Sequence, residues 1–375
     1  MAPPDLPFHR PSLSDLERQY LQEALEERYW GGGRWIERLE AALQSLYQRE
    51  VVVVSSGTAA LHLALTLLTR EKEAEVIVPT WTFTATASEV VHAGGIPVLA
   101  DVNETLHLSA ETVEPLISSR TVGIIVVHYA GVPAPMDELL SLCQKYDLWL
   151  IEDACHAVPA YYEGRLCGTF GQAATLSFHA TKPVAAGQGG AVLFSDKALA
   201  EIARGLRRNG LFRSSERPWL YEVKALGWNY MLSDFQAAVA LAQVNRLEEL
   251  WQARRHLALL YEEMLKDIPE IQPYAVPAPE IAAWHLYPVF WRGASAEKKN
   301  RLLDYLYARG FSLSVHYKPL HLHPAYQPYI RKGQAFPTAD KAYEEIFSLP
   351  LWVGLSEENI QALVNALKAG IAQIQ

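Results

Sequence analysis

Three cysteines in 375 residues, Cys143, Cys155 and Cys167, are too few for a disulfide framework, and none belongs to a CxxC pair that would suit zinc. An odd, scattered set fits a reducing compartment, and the cytoplasm is the expected location. Long hydrophobic runs are also lacking: no stretch approaches the roughly 20 apolar residues of a membrane span. The opening MAPPDLPFHR has no apolar segment of the secretory kind. Positive charge is short as well. Lys plus Arg number 33 against 42 Asp plus Glu, a net charge of -9. Neither nucleic acid nor an anionic membrane is therefore an expected partner, and an anionic substrate would need locally placed donors. Finally, the chain lacks both GxGxxG and GxxxxGK[ST], which argues against a dinucleotide fold and a P-loop.

What is present is an ordinary globular composition, 50% hydrophobic and 20% charged, long enough for one large and one small domain. The stretch that organises it is AATLSFHATKPVAAGQGGAVLF, from Ala173 to Phe194. It reads as an apolar strand, a turn presenting Lys182, a glycine-containing loop, and a second strand. A lysine between buried strands is poorly placed for a solvated charge, and a desolvated amine is a candidate nucleophile for carbonyls. A plain loop lysine is the competing interpretation.

Upstream, SDLERQYLQEA predicts a helix capped by Ser14, and Tyr29 to Gly33 a turn before a second amphipathic helix over 35–47. The four valines 51–54 form a strand. Ser55 to Ala60 then makes a small-residue turn into the helical run LHLALTLL, where free N–H groups and the helix dipole suit a phosphate. A strand over 75–79 leads to Trp81 and Phe83, at the sheet edge where α/β proteins place ligands. Further strands at 97–101, 123–129 and 148–153, with a helix over 136–146, complete an alternation that predicts a mostly parallel sheet wrapped by helices. The last strand delivers Asp153 to its end, a carboxylate that burial would make costly without a partner. His156 comes three residues later. Past the lysine come a helix over 198–208, a loop over 209–224 carrying Arg213 and Arg217, and one long helix over 233–265. A Pro-rich segment over 269–279 then precedes a smaller α+β part. The expected division is 1–245 for the large domain and 246–375 for the small one. His316, His321 and His323 lack a carboxylate or cysteine pattern, so no metal site is expected.

A phosphate-ready turn, an aromatic pair, a strand-end aspartate and a lysine after a strand, in that order, are the inventory of pyridoxal phosphate. SSGTAALHLAL, VPTWTFTATASEVVHAGGIPVLADV, IEDACHA, LSFHATKPVAAGQGGAVLF, GWNYMLSDFQAA and VHYKPLHLHPAY resemble, in order and spacing, the blocks of the DegT/DnrJ/EryC1/StrS aminotransferases. The resemblance covers nearly the whole chain. It implies the fold of aspartate aminotransferase, fold type I, with a seven-stranded sheet, and a homodimer acting on nucleotide-linked keto sugars.

Carried over by position, the resemblance implies that Lys182 forms the internal aldimine and shuttles the substrate proton while Asp153 pairs with the pyridine nitrogen. Phe83 would cover one ring face, with His156 near the other or bonded to the ring hydroxyl. Gly57, Thr58, Ala59 and Ser177 would hold the phosphate, and Asn229 would reach in from the partner subunit. Trp30, Gly31 and Gly32, with His316, Tyr317 and Lys318, would contact the sugar nucleotide. Ser56, Pro183, Gln188 and the run Asn229 to Leu232 depart from the family's usual residues. The reaction expected from the resemblance takes an amino group from L-glutamate, through pyridoxamine phosphate, to C4 of a 4-keto-6-deoxy sugar. A 3-keto sugar or a cyclitol is the alternative acceptor, and a non-catalytic regulator that binds the cofactor is the alternative class.

Overall fold

The computed structural model describes residues 5–69, 71–213, 216–217 and 219–374. The first four residues of the Pro-rich start, and 214, 215 and 218 of the expected arginine-bearing loop, lie outside these. The β-branched runs form strands β1 (Glu50–Val54), β2 (Glu75–Pro79), β3 (Ile96–Ala100), β4 (Thr121–Val127) and β5 (Trp149–Asp153). A short hairpin, β6 (Tyr161–Tyr162) with β7 (Arg165–Leu166), precedes β8 (Ala173–Ser177) and β9 (Gly190–Phe194). The central sheet has seven strands in the order β1-β9-β8-β5-β4-β2-β3. All neighbours are parallel except β9, which runs antiparallel to β1 and to β8.

Both faces of this sheet are covered, which is why its strands read as continuous apolar runs rather than alternating ones. Val52, Val76, Ile125 and Ile151 pack into one cluster and Val51, Val53, Ala174 and Leu176 into another. Burying each such valine or isoleucine contributes about 1.5–3 kcal/mol. The covering helices begin with α1 (Asp15–Glu27), α2 (Arg34–Tyr47), α3 (Gly57–Leu68) and α4 (Ala85–His92). Ser14 caps α1 in a capping box with Glu17, the Ser-x-x-Glu signature the sequence carries.

β10 (Leu211–Arg213) and β11 (Tyr221–Val223) pair as a separate two-stranded hairpin, with β11 exposed throughout. A three-stranded antiparallel sheet of β12 (Ile271–Pro273), β13 (Tyr287–Trp291) and β14 (Ile346–Leu349) has a core of its own, which includes Leu257, Phe347, Leu363 and Leu367. Leu6 joins that core from the other end of the chain. Its backbone bonds Gly310 and Ser312, so the N-terminal segment lies along the C-terminal half.

Two expectations need correction: the loop expected over 209–224 contains the β10–β11 hairpin, and the long helix after it is broken. The single helix over 233–265 is two helices, Asp234–Asn245 and Leu247–Leu265, broken at Arg246. Arg246 bonds Glu17 on α1 at 2.6 Å and Glu249 at 2.6 Å. The break turns the chain from packing on α1 and α2 to packing on the helix Glu357–Ile374, two partners that one straight helix could not reach. Unexpected from the sequence were the helix Pro337–Glu345 and β14, whose four-residue apolar run is too short to declare its period.

Candidate active site

Parallel strands end where their connections leave, and in an open α/β sheet that edge is where ligands bind. Here it forms the floor of a cavity of about 500 Å³. Strand ends and the loops after them bring Gly57, Thr58, Phe83, Asp153, His156, Ser177 and Lys182 to its wall, together with His316 and Tyr317 from the C-terminal half.

Lys182 sits in a tight loop closed by backbone bonds from Lys182 N–H to the His179 carbonyl and from Ala180 N–H to that of Gly187. Gly187 and Gly189 hold positive φ values of 79° and 142°, conformations that side chains resist. Burial pulls the Lys182 ammonium below its usual pKa, opposed by Cys155 and Asp153. That is the direction that frees an amine for chemistry. Asp153 ends β5; its Oδ2 accepts from Thr86 Oγ1 at 2.9 Å and its Oδ1 from the Cys155 N–H at 3.2 Å.

At the head of α3, the N–H groups of Ala59 and Ala60 are taken by the Oγ and carbonyl of Ser56, each at 3.0 Å. The first turn's remaining donors are those of Gly57 and Thr58, beside the Ser177 hydroxyl. A Cβ on Gly57 would crowd the corner, lying 3.0 Å from Ser177 Cβ and 3.1 Å from Cys155 Sγ. Glycine keeps this corner open.

The opposite wall is aromatic and imidazole-rich. His156 Nε2 meets the Tyr317 hydroxyl at 3.0 Å, and its ring lies edge-on to His285, 4.4 Å between centroids. Burial and then Lys182 hold His156 well below the usual histidine pKa, and His285 is likewise depressed. His316 is pushed down to about 4 by burial and Lys182, and its Nδ1 bonds Ser348 at 3.1 Å. All three rings are neutral at physiological pH. Phe83, 54% exposed, stands at the mouth, its ring 6.2 Å from that of Tyr317.

Other expected site residues lie elsewhere. Ala59 is buried in α3, Lys318 is exposed beyond the cavity, and Trp30, Gly31, Gly32 and Asn229 do not line it. Those last four instead group on another face: Gly31 bridges Ser233, Asn229 bridges Arg208, and a Cβ on Gly32 would sit 3.1 Å from an Arg208 nitrogen. His321, one of the three histidines weighed for metal, bonds Thr80 at 2.7 Å and Asp340 at 2.9 Å and stacks on Phe336. Residues the sequence did not single out also line the cavity: Phe8, His9, Thr82 and His285. Only the fold brings the first two near, through the N-terminal segment's pairing with Phe311.

These residues fit pyridoxal phosphate. The glycine corner with free N–H groups suits its phosphate, the oriented Asp153 its ring nitrogen, and the depressed Lys182 its aldehyde.

A lysine and a strand-end carboxylate at the carboxyl edge of such a sheet are the pair that a pyridoxal phosphate enzyme of the α/β kind requires. The chain belongs to the DegT/DnrJ/EryC1/StrS aminotransferase family, which residues 11–368 match. It is 32% identical to the spore coat polysaccharide biosynthesis protein SpsC of Bacillus subtilis, over 97% of this chain and 96% of that protein. Among solved structures it resembles PseC of Helicobacter pylori, an aminotransferase involved in pseudoaminic acid biosynthesis, with a TM-score of 0.94 and 28% identity over 98% of this chain and 99% of that one. The PMP form of Spr1654 from Streptococcus pneumoniae superposes with a TM-score of 0.93 at 26% identity, covering 99% and 100%, and a PLP form of that protein is similar too.

Proposed function

We propose that the protein moves the amino group of L-glutamate to C4 of a 4-keto-6-deoxy sugar linked to a nucleotide, with pyridoxal phosphate as resident cofactor. One observation carries the reading: a single cavity holds the phosphate corner, Asp153 and Lys182 on one side and the His316–Tyr317 loop on the other. The first group suits cofactor chemistry common to any amino donor, and the second leaves room for an acceptor beside it. The block VHYKPLH, which contains that loop, supports a 4-keto acceptor by its resemblance.

When bound, the cofactor supplies an electron sink that makes the hydrogen on the amino acid's Cα acidic. Lys182 takes that proton at its amine and returns one to the sugar carbon that receives nitrogen, alternating as base and acid. Burial lowers its pKa, which makes the amine more readily available as the base. Asp153, an acceptor bonded from Thr86 and Cys155, holds the ring nitrogen's proton in place. Gly57, Thr58 and Ser177 anchor the phosphate, and the neutral imidazoles with Tyr317 exclude water and offer hydrogen bonds to the sugar. The balance is glutamate and keto sugar to 2-oxoglutarate and amino sugar.

A homodimer with shared sites belongs to the same proposal, with Asn229 and the Trp30–Gly32 turn serving the partner's cavity. Its support is that these residues stand on an exposed face away from their own cavity, next to a hairpin region whose Trp219 is 73% and Leu226 89% exposed. A cytoplasmic location goes with this reading; among the described residues no helix is long and apolar enough to cross a membrane.

The test is the absorbance of the purified protein with pyridoxal phosphate, before and after L-glutamate, for wild type and Lys182→Ala. A glutamate-driven loss of visible colour only in wild type is expected. Keto sugar nucleotides should then restore the colour, with the aminated carbon assigned by NMR of the product. A spectrum indifferent to glutamate would instead favour a cofactor-binding regulator.

A further inference from the structure

Asp153 does not stand alone at the end of β5. Its Oδ2 is 2.9 Å from Thr86 Oγ1, and Thr86 Oγ1 is 2.8 Å from Thr82 Oγ1. All three side chains are buried, at 7%, 0% and 2% exposure. The Thr86 hydroxyl is the donor in the bond to the carboxylate. With its one proton committed, Thr86 must accept from Thr82. The direction of the whole chain is fixed by this count: Thr82 to Thr86 to Asp153.

The backbone makes the arrangement stiff. Thr86 stands in the first turn of α4, and its N–H bonds the Phe83 carbonyl. Thr82 belongs to the loop that leaves β2 and lines the cavity. Strand β4 lies between β2 and β5, so the chain of hydroxyls crosses over it and ties two ends of the sheet edge together. The other oxygen, Oδ1, accepts the Cys155 N–H. Two donors from two elements thus set the plane of the carboxylate, and each oxygen keeps lone-pair capacity for one more donor. Lys182, Cys155 and Tyr317 are the other titratable groups that feel Asp153.

We propose that Thr86, itself oriented by Thr82, is a positioning residue that holds the Asp153 carboxylate in the plane where it keeps the cofactor's ring nitrogen protonated. This rests on the pyridoxal phosphate reading above. Threonine suits the task better than a charged donor, because a neutral hydroxyl orients the carboxylate without neutralising it. The negative charge stays available for the ring nitrogen.

The experiment uses the holoenzyme reconstituted with isotope-labelled pyridoxal phosphate. Nitrogen NMR reads the pH at which the ring nitrogen loses its proton, and absorbance titration reads cofactor affinity. For Thr86→Val, nearly the same shape without the hydroxyl, that pH should fall by about one unit, which corresponds to weakening the ring nitrogen's own hydrogen bond to a carboxylate no longer held in plane, an effect larger than the slight gain in the carboxylate's acceptor strength. Cofactor affinity and the rate of the glutamate half-reaction should each fall about tenfold or more by the same loss, while KM for glutamate changes little. Thr86→Ser, which restores the donor, should return both towards wild type. Thr82→Val should act in the same direction but less, because Thr86 keeps its proton and loses only its orientation.

A Thr86→Val protein that binds cofactor and holds the ring proton as wild type does would overturn the inference. If Thr86→Val does not fold, the decision passes to Thr86→Ser and Thr82→Val, and a Thr82→Val ring proton lost at the wild-type pH overturns it equally. Failure of the wild type to bind pyridoxal phosphate at all is a different result, and would remove the functional reading itself.

Discussion

The cavity around Lys182 and the face around Asn229 were both expected to serve one site, yet the fold treats them differently. The first is assembled within one chain: strand ends, the head of α3 and the lysine loop converge, and Asp153 and His156 are buried there and hydrogen-bonded to Thr86 and Tyr317. The second is open. Trp30 is half exposed and packs at a tilt against Phe235, and the nearby β10–β11 hairpin region presents a run of bare aromatic and aliphatic side chains. Cofactor chemistry needs rigid, dry placement, so it is built where the sheet is most buried. An exposed apolar surface beside a glycine-rich turn is the kind of face that the homodimer proposed above would cover.

The strongest way to test the first half of the comparison is Lys182→Ala. Removing both amine and proton carrier should lower transamination by at least about a thousandfold, within the range for a positioned acid–base group. Steady-state assays with purified amino acceptor check it, and retention of cofactor through the phosphate corner would show that the rest of the cavity survives.

The second half is sharpened by mixing subunits. Lys182→Ala and Asn229→Ala should each be weak alone as homodimers. After co-refolding in equal amounts, half of the dimers are mixed, and in each one site has both its lysine and the other copy's asparagine. About a quarter of wild-type sites should therefore return, as two-fold symmetry requires. No recovery would place Asn229 outside the site, and the open face would then need another occupant.

The two regions also differ in how far the sequence announced them. Lys182, Asp153 and the Ser55 to Ala60 turn were legible because each is signalled locally, by an apolar strand and the turn or loop at its end. Thr86 was not, since its meaning comes from a carboxylate 67 positions away that reaches it only across β4. His285 and Phe8 depend likewise on how the C-terminal half and the N-terminal segment lie over the sheet edge. The break at Arg246 was invisible for the same reason: its cause is Glu17, far upstream. Period and turn chemistry report what neighbours in sequence do, and a pairing between distant elements leaves no such trace.

A smaller effect separates the cavity's imidazoles from exposed ones. His156, His285 and His316 are held neutral by burial, with folded pKa values below the unfolded value. The unfolded chain therefore binds protons that the folded one refuses as pH falls below about 6.5, and stability declines towards pH 4. Urea unfolding across that window should show the slope. His316→Gln should reduce it by about one proton.

The smallest expected effect falls on Tyr317, which belongs to the acceptor side of the cavity but touches the cofactor side through His156. The phenol's pKa is raised far above normal by burial, so its hydroxyl keeps its proton, and in the tautomer that leaves Nε2 bare it donates there. His156 then carries its own proton on Nδ1, which has no protein partner among the described residues and stays available to a ligand. Tyr317→Phe removes the donor without changing the ring's packing and frees His156 to adopt the other tautomer. The cost should be about 1 kcal/mol, a factor of about five in the half-reaction with the keto sugar. The glutamate half-reaction, which does not use the acceptor wall, should change less than about twofold. Stopped-flow absorbance resolves the two halves. If both slow equally, Tyr317 acts through His156 on the cofactor itself, and the division of the cavity into a donor-independent side and an acceptor side is wrong at that residue.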